Sequence, residues 1–250
     1  MKFAGKVAAI TGSAQGIGFA FGEALAREGA SIAVLDIDAG RGAAAAAAIE
    51  ASGGRATSHV CDVADDAAVD AVMAAAATAH GGIDILINCA AKHLMEYNKP
   101  CTILARDKWR RMLDVNVTGI VNCAAAVHPF MKARGGGVIL NLASIAGFIV
   151  TTSYGVSKLA VRGLTVALAD EFAPDHIRVC CIAPGIVDSE SAMAEVPREL
   201  IDQYVQQHQL IKRQGRMQDL VQAMLFLCSD DAGFITGETL PVSGGHPRRI

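Results

Sequence analysis

A glycine-rich segment near the amino terminus constrains the fold of this chain most strongly. Residues 6–10 have the apolar composition of a short buried strand and run directly into Thr11-Gly-Ser-Ala-Gln-Gly-Ile-Gly18. A helical pattern follows to about Glu28, and a second apolar strand, 31–35, ends at Asp36. A strand, a glycine loop, a helix and a second strand, with an acid about 20 residues past the glycines, are typical of a dinucleotide-binding unit.

That unit predicts how a dinucleotide is recognised. Glycines let the backbone approach a pyrophosphate, whose charge is favoured at a helix N-terminus. Asp36 can accept hydrogen bonds from the adenosine ribose hydroxyls of NAD and would repel the 2′-phosphate of NADP. No Arg or Lys follows Asp36 directly, and Gln15 rather than a basic residue precedes Gly16. NAD is therefore the predicted cofactor and NADP the less favoured one. A plain strand–helix turn is the competing interpretation of the glycines alone.

Strands and helices continue to alternate along the chain. Further strands are predicted at 56–61, 83–87, 138–142, 177–182 and 238–242, and helices at 39–51, 63–79, 108–131, 153–172 and 220–229. This pattern predicts an α/β fold, a Rossmann-like doubly wound parallel sheet of about seven strands with helices on both faces. No linker, repeat or composition shift marks a second domain, so one NAD-binding domain over 1–250 is expected, with a lid at about 190–215.

Composition and net charge limit which binding partners and which cellular compartment are expected. The chain is 52% hydrophobic but only 5% aromatic, which is typical of a parallel α/β core. A net charge of −3 gives no reason to expect nucleic acid or an anionic membrane as partner, and no apolar run reaches transmembrane length. The seven Cys and seven His lack metal-ligand spacing. A soluble, cytoplasmic protein with reduced thiols and no metal is expected, with Cys180 and Cys181 on opposite faces of one strand.

A tyrosine and a lysine are the candidate acid–base pair. Tyr154 and Lys158 lie one turn apart on one face of the helix predicted over 153–172. A phenol is a poor catalyst at its free pKa of about 10, and a neighbouring ammonium lowers that pKa toward working pH. Ser144, which follows the strand at 138–142, could orient a substrate oxygen. Asn116 is an amide in an apolar helix, for which a satisfied core polar group is the ordinary interpretation. Tyr-x-x-x-Lys alone could equally be two solvent-facing residues.

Along essentially its whole length the chain resembles a short-chain dehydrogenase/reductase. The matching positions are Thr11-Gly12-x-x-x-Gly16-x-Gly18, Asp62-Val63, Asn88-x-Ala90, Asn116, Ser144, Tyr154-x-x-x-Lys158 and Pro184-Gly185. The resemblance implies that Tyr154 is the acid/base and that Lys158 lowers its pKa and binds the nicotinamide ribose. It also implies that Ser144 holds the substrate oxygen and that Asn116 anchors a water between Lys158 and solvent.

The resemblance extends to cofactor contacts and assembly. It implies hydride transfer to the B face of the nicotinamide and a homotetramer joined through helices 108–131 and 153–172. The residues expected to contact the cofactor are Gly12, Gln15, Gly16, Ile17, Gly18, Asp36, Asp62, Val63, Asn88, Ala90, Tyr154, Lys158, Pro184, Gly185, Val187 and Ser189.

The substrate pocket is the least defined part of the prediction. Its candidate residues are His93, Leu94, Ala146, Phe148, Ile149, Val150, Ile186, Met193 and Val196. They are mostly apolar, which favours a hydrophobic or cyclic alcohol over a sugar or an acid. Ser144 and Tyr154 are ten residues apart, a shorter span than in many members of the family, so the wall formed by 148–152 should differ. Ala91 and Cys89 also depart from the usual Gly and Asn, and are expected to tune cofactor affinity.

The predicted activity is an NAD-dependent interconversion of a secondary alcohol and a ketone, with the small-molecule substrate and cofactor as the ligands. An NADP-dependent ketone or 3-oxoacyl thioester reductase is the nearest alternative. A zinc dehydrogenase is a second alternative, which the scattered His and Cys do not favour. A dinucleotide-binding regulator without catalysis is the most remote alternative, since Asn116, Ser144, Tyr154 and Lys158 are all present.

Overall fold

A parallel sheet forms the centre of the structure, a computed structural model that describes residues 1–93, 96–189, 193–194 and 196–247. Within these residues the sheet has seven strands in the order β3-β2-β1-β4-β5-β6-β7. They are β1 (Val7–Thr11), β2 (Ser31–Asp36), β3 (Arg55–Val60), β4 (Ile85–Asn88), β5 (Gly137–Leu142), β6 (Ile177–Pro184) and β7 (Thr239–Val242). Every pair of neighbouring strands is parallel. The predicted Rossmann-like, doubly wound sheet is confirmed.

Helices cover both faces of this sheet. They are α1 (Gly16–Arg27), α2 (Ala39–Ala51), α3 (Asp66–His80), α4 (Arg106–Leu113), α5 (Gly119–Ala133), α6 (Ala146–Ile149), α7 (Ser153–Phe172), α8 (Arg198–His208) and α9 (Met217–Leu227). Helices α1, α2 and α9 bury their apolar residues in one core cluster, and α3, α5 and α7 bury theirs in a second. Strand residues alternate between the clusters, and Cys180 and Cys181 lie on opposite faces as predicted.

Side-chain caps explain where several helices begin. Asp38 accepts a hydrogen bond from the Arg41 N–H at 3.0 Å and starts α2, and Asp65 does the same for α3 through the Ala68 N–H at 3.0 Å. Thr152 starts α7 by accepting from the Gly155 N–H at 3.2 Å. Each cap satisfies an N–H that the first helical turn leaves unpaired. The helices predicted at 39–51 and 153–172 therefore have the bounds expected from the sequence, whereas the one predicted from residue 63 begins at Asp66.

The long helix predicted over 108–131 is the element that differs most from expectation. It begins at Arg106, ends at Ala133 and is interrupted by a π-helical turn, Asp114–Thr118, between α4 and α5. Asn116 lies in the middle of that turn. A π turn inserts one extra residue into a helix and is common at functional sites. Of the two short helices predicted over 190–215, α8 is present, while 190–192 and 195 lie outside the described residues.

Two charged side chains at the amino edge of the sheet, Asp84 and Arg178, each form several hydrogen bonds. Asp84, just before β4, accepts from the Val7 N–H at 2.8 Å and from two guanidinium nitrogens of Arg134 at 3.0 Å each. Arg178 donates to the carbonyl oxygens of Leu227 and Ser229 at 3.0 Å, and also to that of Ile235. The first set ties β1 and β4 to the end of α5, and the second ties β6 to the end of α9. The described helices include none long and apolar enough to cross a bilayer.

Candidate active site

A cavity of about 660 Å³ opens at the carboxyl edge of the sheet. Most residues predicted for the site line it: Gly12, Gln15, Gly16, Ile17, Gly18, Asp36, Asp62, Val63, Ala90, His93, Ser144, Tyr154, Lys158, Pro184, Gly185, Ile186, Val187, Ser189 and Val196. This is where the loops after parallel strands converge. Sequence reasoning missed other lining residues, among them Ile37, Cys61, Lys92, Asn98, Arg111 and Ala194.

The glycine segment forms a cradle that side chains would fill. A Cβ on Gly12 would lie 2.8 Å from the Cα of Ala90, and one on Gly18 would overlap the carbonyl oxygen of Gly12. Gly16 has open space around it but a φ of +59°, which disfavours any residue with a side chain. Gln15 precedes α1 without capping its first turn through its side chain. Bare backbone at an uncapped helix N-terminus fits the pyrophosphate of a dinucleotide.

Asp36 lies at the far wall of this cradle, where backbone N–H groups orient its carboxylate. Oδ2 accepts from the Ala14 N–H at 3.0 Å and Oδ1 from the Asp38 N–H at 3.1 Å. Arg41, in the first turn of α2, donates to the Gln15 side chain and approaches Asp38 at 3.6 Å. Across the described residues no basic side chain forms an ion pair with Asp36. The carboxylate is thus held in a fixed orientation, with the Arg41 guanidinium on the neighbouring helix, which the sequence pattern did not indicate.

Asp62 carries a partner that is remote in sequence. Burial works to raise the pKa of its carboxyl group, but hydrogen bonds from the Arg111 guanidinium and from the Ala64 N–H outweigh burial and lower that pKa. Arg111 belongs to α4 and lines the cavity beside Asp62. The cofactor contact predicted at Asp62 therefore involves an ion pair and not an isolated carboxylate.

Two predicted amides lie behind the cavity wall. Asn88 is buried and donates to the Oδ1 of Asn141 at 2.9 Å, while Asn141 donates to the Thr165 hydroxyl at 3.0 Å. Asn116 is 1% exposed and bonds to both the N–H and the carbonyl of Lys92, at 2.7 and 3.0 Å. Asn116 therefore fastens the loop after β4 to the π turn. Neither Asn88 nor Asn116 lines the cavity itself.

Asn116 also reaches the helix that carries the tyrosine and lysine. Its Nδ2 donates to the Ser157 hydroxyl at 3.1 Å, and that hydroxyl donates to the Tyr154 carbonyl at 2.8 Å. The extra residue of the π turn places this amide between the loop and α7. A buried amide with every contact to backbone or hydroxyl groups can hold the first turn of α7 in register with the cavity.

Tyr154 and Lys158 meet at the cavity as the helix spacing predicts. The ammonium of Lys158 lies 5.7 Å from the centre of the Tyr154 ring and donates to the Leu142 carbonyl at 2.6 Å. Burial lowers the pKa of Lys158 to about 8. Burial also raises the pKa of Tyr154, while a hydrogen bond with Ser144 acts in the opposite direction. At pH 7 the charged form of Lys158 predominates, and an ammonium this close favours the phenolate against burial.

The wall between Ser144 and Tyr154 is where the structure places side chains differently from expectation. Residues 146–149 form the short helix α6, which packs on α7, so Ala146, Ile149 and Val150 do not line the cavity. Phe148 lies under the guanidinium of Arg162, 3.6 Å from its ring centre, and is also absent from the lining.

The remaining pocket candidates follow β4 and β6 in the chain. Met193 lies outside the lining, and Leu94 falls outside the described residues. His93, Ile186 and Val196 are at the cavity as predicted, joined by Asn98 and Ala194. The described residues contain no cluster of His, Cys, Asp or Glu able to hold a metal ion.

The fold and this site define a class of protein, the nicotinamide-dinucleotide oxidoreductases with a Rossmann-like domain. A family model described as enoyl-(acyl carrier protein) reductase matches residues 12–246. Human dehydrogenase/reductase SDR family member 4 is 38% identical over 251 residues, covering 99% of this chain and 89% of that protein. The chain belongs to the short-chain dehydrogenase/reductase family.

Other relatives support the same assignment. An uncharacterized oxidoreductase of Mycobacterium tuberculosis is 43% identical over 245 residues, covering 98% of each chain. The solved structure of a 7α-hydroxysteroid dehydrogenase with NADH and 7-oxo glycochenodeoxycholic acid superposes with a TM-score of 0.90 at 34% identity, covering 98% of this chain and 95% of that one. A hydroxysteroid dehydrogenase from Escherichia coli gives a TM-score of 0.86 at 35% identity, covering 98% and 97%.

Proposed function

We propose that this protein is an NAD-dependent oxidoreductase that interconverts a secondary alcohol and a ketone. The observation that carries the proposal is the convergence of Ser144, Tyr154 and Lys158 on the cavity that the glycine cradle and Asp36 open into. A phenol with a hydroxyl and an ammonium beside it can move a proton without a metal ion.

Each side chain then has a distinct task. Tyr154 takes the proton of the substrate hydroxyl during oxidation and returns it during reduction. Ser144 donates a hydrogen bond to the substrate oxygen and holds it against the phenol. Burial raises the pKa of Tyr154, and the positive charge of Lys158, 5.7 Å from the ring centre, favours the phenolate. The nicotinamide, when bound, supplies or accepts the hydride. Asn116 keeps the first turn of α7 and the loop after β4 together.

NAD is the proposed cofactor because Asp36 lines the cavity and forms no ion pair with a basic side chain among the described residues. A carboxylate there repels a 2′-phosphate and accepts from ribose hydroxyls. Arg41 is the feature that favours the alternative, an NADP-dependent ketone or 3-oxoacyl thioester reductase, since a guanidinium near the same ribose would attract the phosphate. Steady-state kinetics with both cofactors separate the two. A kcat/KM at least about tenfold higher with NAD is expected, and a preference for NADP would overturn the cofactor assignment.

The proposed substrate is a hydrophobic or cyclic alcohol. Ile186, Ala194 and Val196 give the substrate side an apolar surface, and hydroxysteroid dehydrogenases are among the structural neighbours. A screen of cyclic, aryl and steroidal alcohols, following NADH formation with and without a strong chelator, tests the reaction. Turnover unaffected by chelator is expected. Tight NAD binding with no turnover across the panel would instead favour the non-catalytic regulator, and chelator-sensitive turnover a metal enzyme.

We also propose a homotetramer joined through α4–α5 and α7, in a cytoplasmic protein. Exposed apolar side chains on α5 and α7 support the tetramer; they are Val121, Leu159 and Val166. Seven free cysteines support a cytoplasmic location. Light scattering should give four times the chain mass for the wild type. A Val166→Glu variant should give a smaller species, and an unchanged mass would place the interface elsewhere.

A further inference from the structure

The backbones of helices α6 and α7 approach each other closely at two glycines. A Cβ on Gly147 would lie 2.6 Å from the carbonyl carbon of Lys158 and 2.7 Å from its oxygen. A Cβ on Gly155 would lie 2.8 Å from the Ala146 oxygen and 3.2 Å from the Cα of Val150. The two glycines thus face each other's helix at both ends of the contact. Neither has a positive φ, so it is the close approach and not the backbone conformation that requires glycine.

The same contact connects the three groups of the proposed reaction. Ser144 precedes α6 and accepts a hydrogen bond from the Ala146 N–H at 3.1 Å, so its hydroxyl is fixed relative to that helix. Lys158 is fixed at two points. Its backbone carbonyl lies close to Gly147, and its ammonium donates a hydrogen bond to the Leu142 carbonyl at 2.6 Å. Gly155 follows Tyr154 directly in the chain. The spacing of α6 and α7 therefore sets how far Ser144 lies from the phenol and the ammonium.

The turn between the helices makes this spacing possible in a short span. Val150 adopts a left-handed conformation with φ +51° and ψ +48°, which is unfavourable for a β-branched residue. Its N–H donates to the Ala146 carbonyl at 2.8 Å, which closes α6 in a single turn. Thr152 then starts α7 two residues later. A strained turn followed at once by a cap brings α6 back onto α7 within the ten residues from Ser144 to Tyr154.

We propose that Gly147 and Gly155 are positioning residues, which set the distance from Ser144 to Tyr154 and Lys158 by letting α6 and α7 meet backbone to backbone. The inference rests on the proposed alcohol–ketone reaction of this site. An added methyl at 147 must move the Lys158 backbone or α6 by roughly 1 Å, and a misplacement of that size lowers rates by about 10²-fold. At 155 the methyl meets one oxygen and a turn, so the loss is smaller, about tenfold.

The test compares Gly147→Ala and Gly155→Ala with Gly22→Ala in the assembled protein, on an alcohol that the wild type oxidises with NAD. Gly22 is the matched control because it is also a buried helical glycine, but its added methyl would meet only side-chain carbons at 3.4–3.5 Å. The expected result is a fall in kcat of about 10² for Gly147→Ala and about tenfold for Gly155→Ala. The control should keep wild-type kcat, and KM for the alcohol should change little in all three.

The pH dependence of alcohol oxidation distinguishes a changed spacing of α6 and α7 from a general loss of structure. If the ammonium moves away from the phenol, alcohol oxidation in Gly147→Ala should reach half its maximum at a higher pH than in the wild type, because the phenolate is less favoured. A lower kcat with an unchanged pH profile, or wild-type kcat in both variants, would overturn the inference. Failure of both variants to fold would do so too, since the glycines would then serve the fold alone. Absence of wild-type turnover would instead be a failure of the proposed function.

Discussion

The two edges of the sheet use charged side chains in opposite ways. At the amino edge, Asp84 is paired by two nitrogens of Arg134 and a backbone N–H, and Arg178 is bound by three carbonyl oxygens. At the carboxyl edge, Lys158 is buried with one carbonyl as its hydrogen-bond partner, and burial shifts its pKa and that of Tyr154 toward the neutral forms. Both edges contain a cavity lined by polar groups.

That difference separates groups that stabilise the fold from groups proposed to take part in the reaction. A charge with all its hydrogen-bonding capacity used stabilises the folded state, and removing its partner is destabilising. A buried charge with capacity to spare destabilises the fold but can bind substrate and exchange protons. Substitutions at the two edges should therefore change different quantities: rate at the carboxyl edge and stability at the amino edge.

The largest expected effect is on rate. Tyr154→Phe should lower kcat by up to about 10⁴-fold, or ~5 kcal/mol of barrier, because no other group at the cavity replaces the phenol as the proton acceptor. NAD binding and the melting temperature should stay close to wild type. Stopped-flow or steady-state assays and a thermal melt check this. Retained turnover would remove Tyr154 from the mechanism and with it the contrast between the edges.

At the amino edge the expected loss is in stability. Asp84→Ala should lower the free energy of unfolding by about 2–4 kcal/mol, since it leaves the Val7 N–H and Arg134 without their carboxylate. The molecules that remain folded should keep wild-type kcat/KM. Chemical denaturation measures the first and active-site titration the second. Asp231→Ala, which breaks the exposed pair with Lys2, is the control and should change stability by less than about 1 kcal/mol.

The smallest expected effect is a pH dependence of the free energy of unfolding, caused by Lys158 at the carboxyl edge. Lys158 has a folded-state pKa of about 8 against an ordinary value of 10.5, so between these pH values the unfolded chain keeps a proton that the folded protein has released. The wild type should therefore gain about 1–3 kcal/mol of stability relative to Lys158→Met as the pH rises through this window. Unfolding free energies of both proteins at pH 7 and near pH 10 test this. A gap that does not change with pH would mean that burial does not lower the pKa of Lys158.

Features that depend on a local sequence pattern could be predicted from the sequence. The glycine segment and the alternation of strand and helix patterns are local, so the sheet, α2 and α7 could be predicted. The pairing of Asp62 with Arg111 spans 49 residues and depends on how α4 packs, which no local pattern encodes. The π turn at Asn116 is likewise invisible, because one extra residue in an apolar helix has no composition of its own.

The pocket wall shows a further limit. Phe148 and Ile149 are apolar and follow Ser144 closely, which is what a substrate wall would look like in sequence. Helix α6 instead packs on α7, so neither residue lines the cavity, and Arg162 stacks on Phe148. Whether a short apolar segment lines a pocket depends on its backbone path, and that path here depends on Gly147, Gly155 and Val150.

The backbone contact of α6 with α7 has a consequence for how such an enzyme can change over evolutionary time. Where the two backbones meet, at Gly147 and Gly155, an added side chain would shift α6 relative to α7 before it changed the shape of the pocket. New substrates would have to be accommodated by side chains that line the cavity, such as those of His93, Asn98, Ala194 and Val196. Directed evolution of substrate range should therefore recover its active variants from those four positions and few from 146–150.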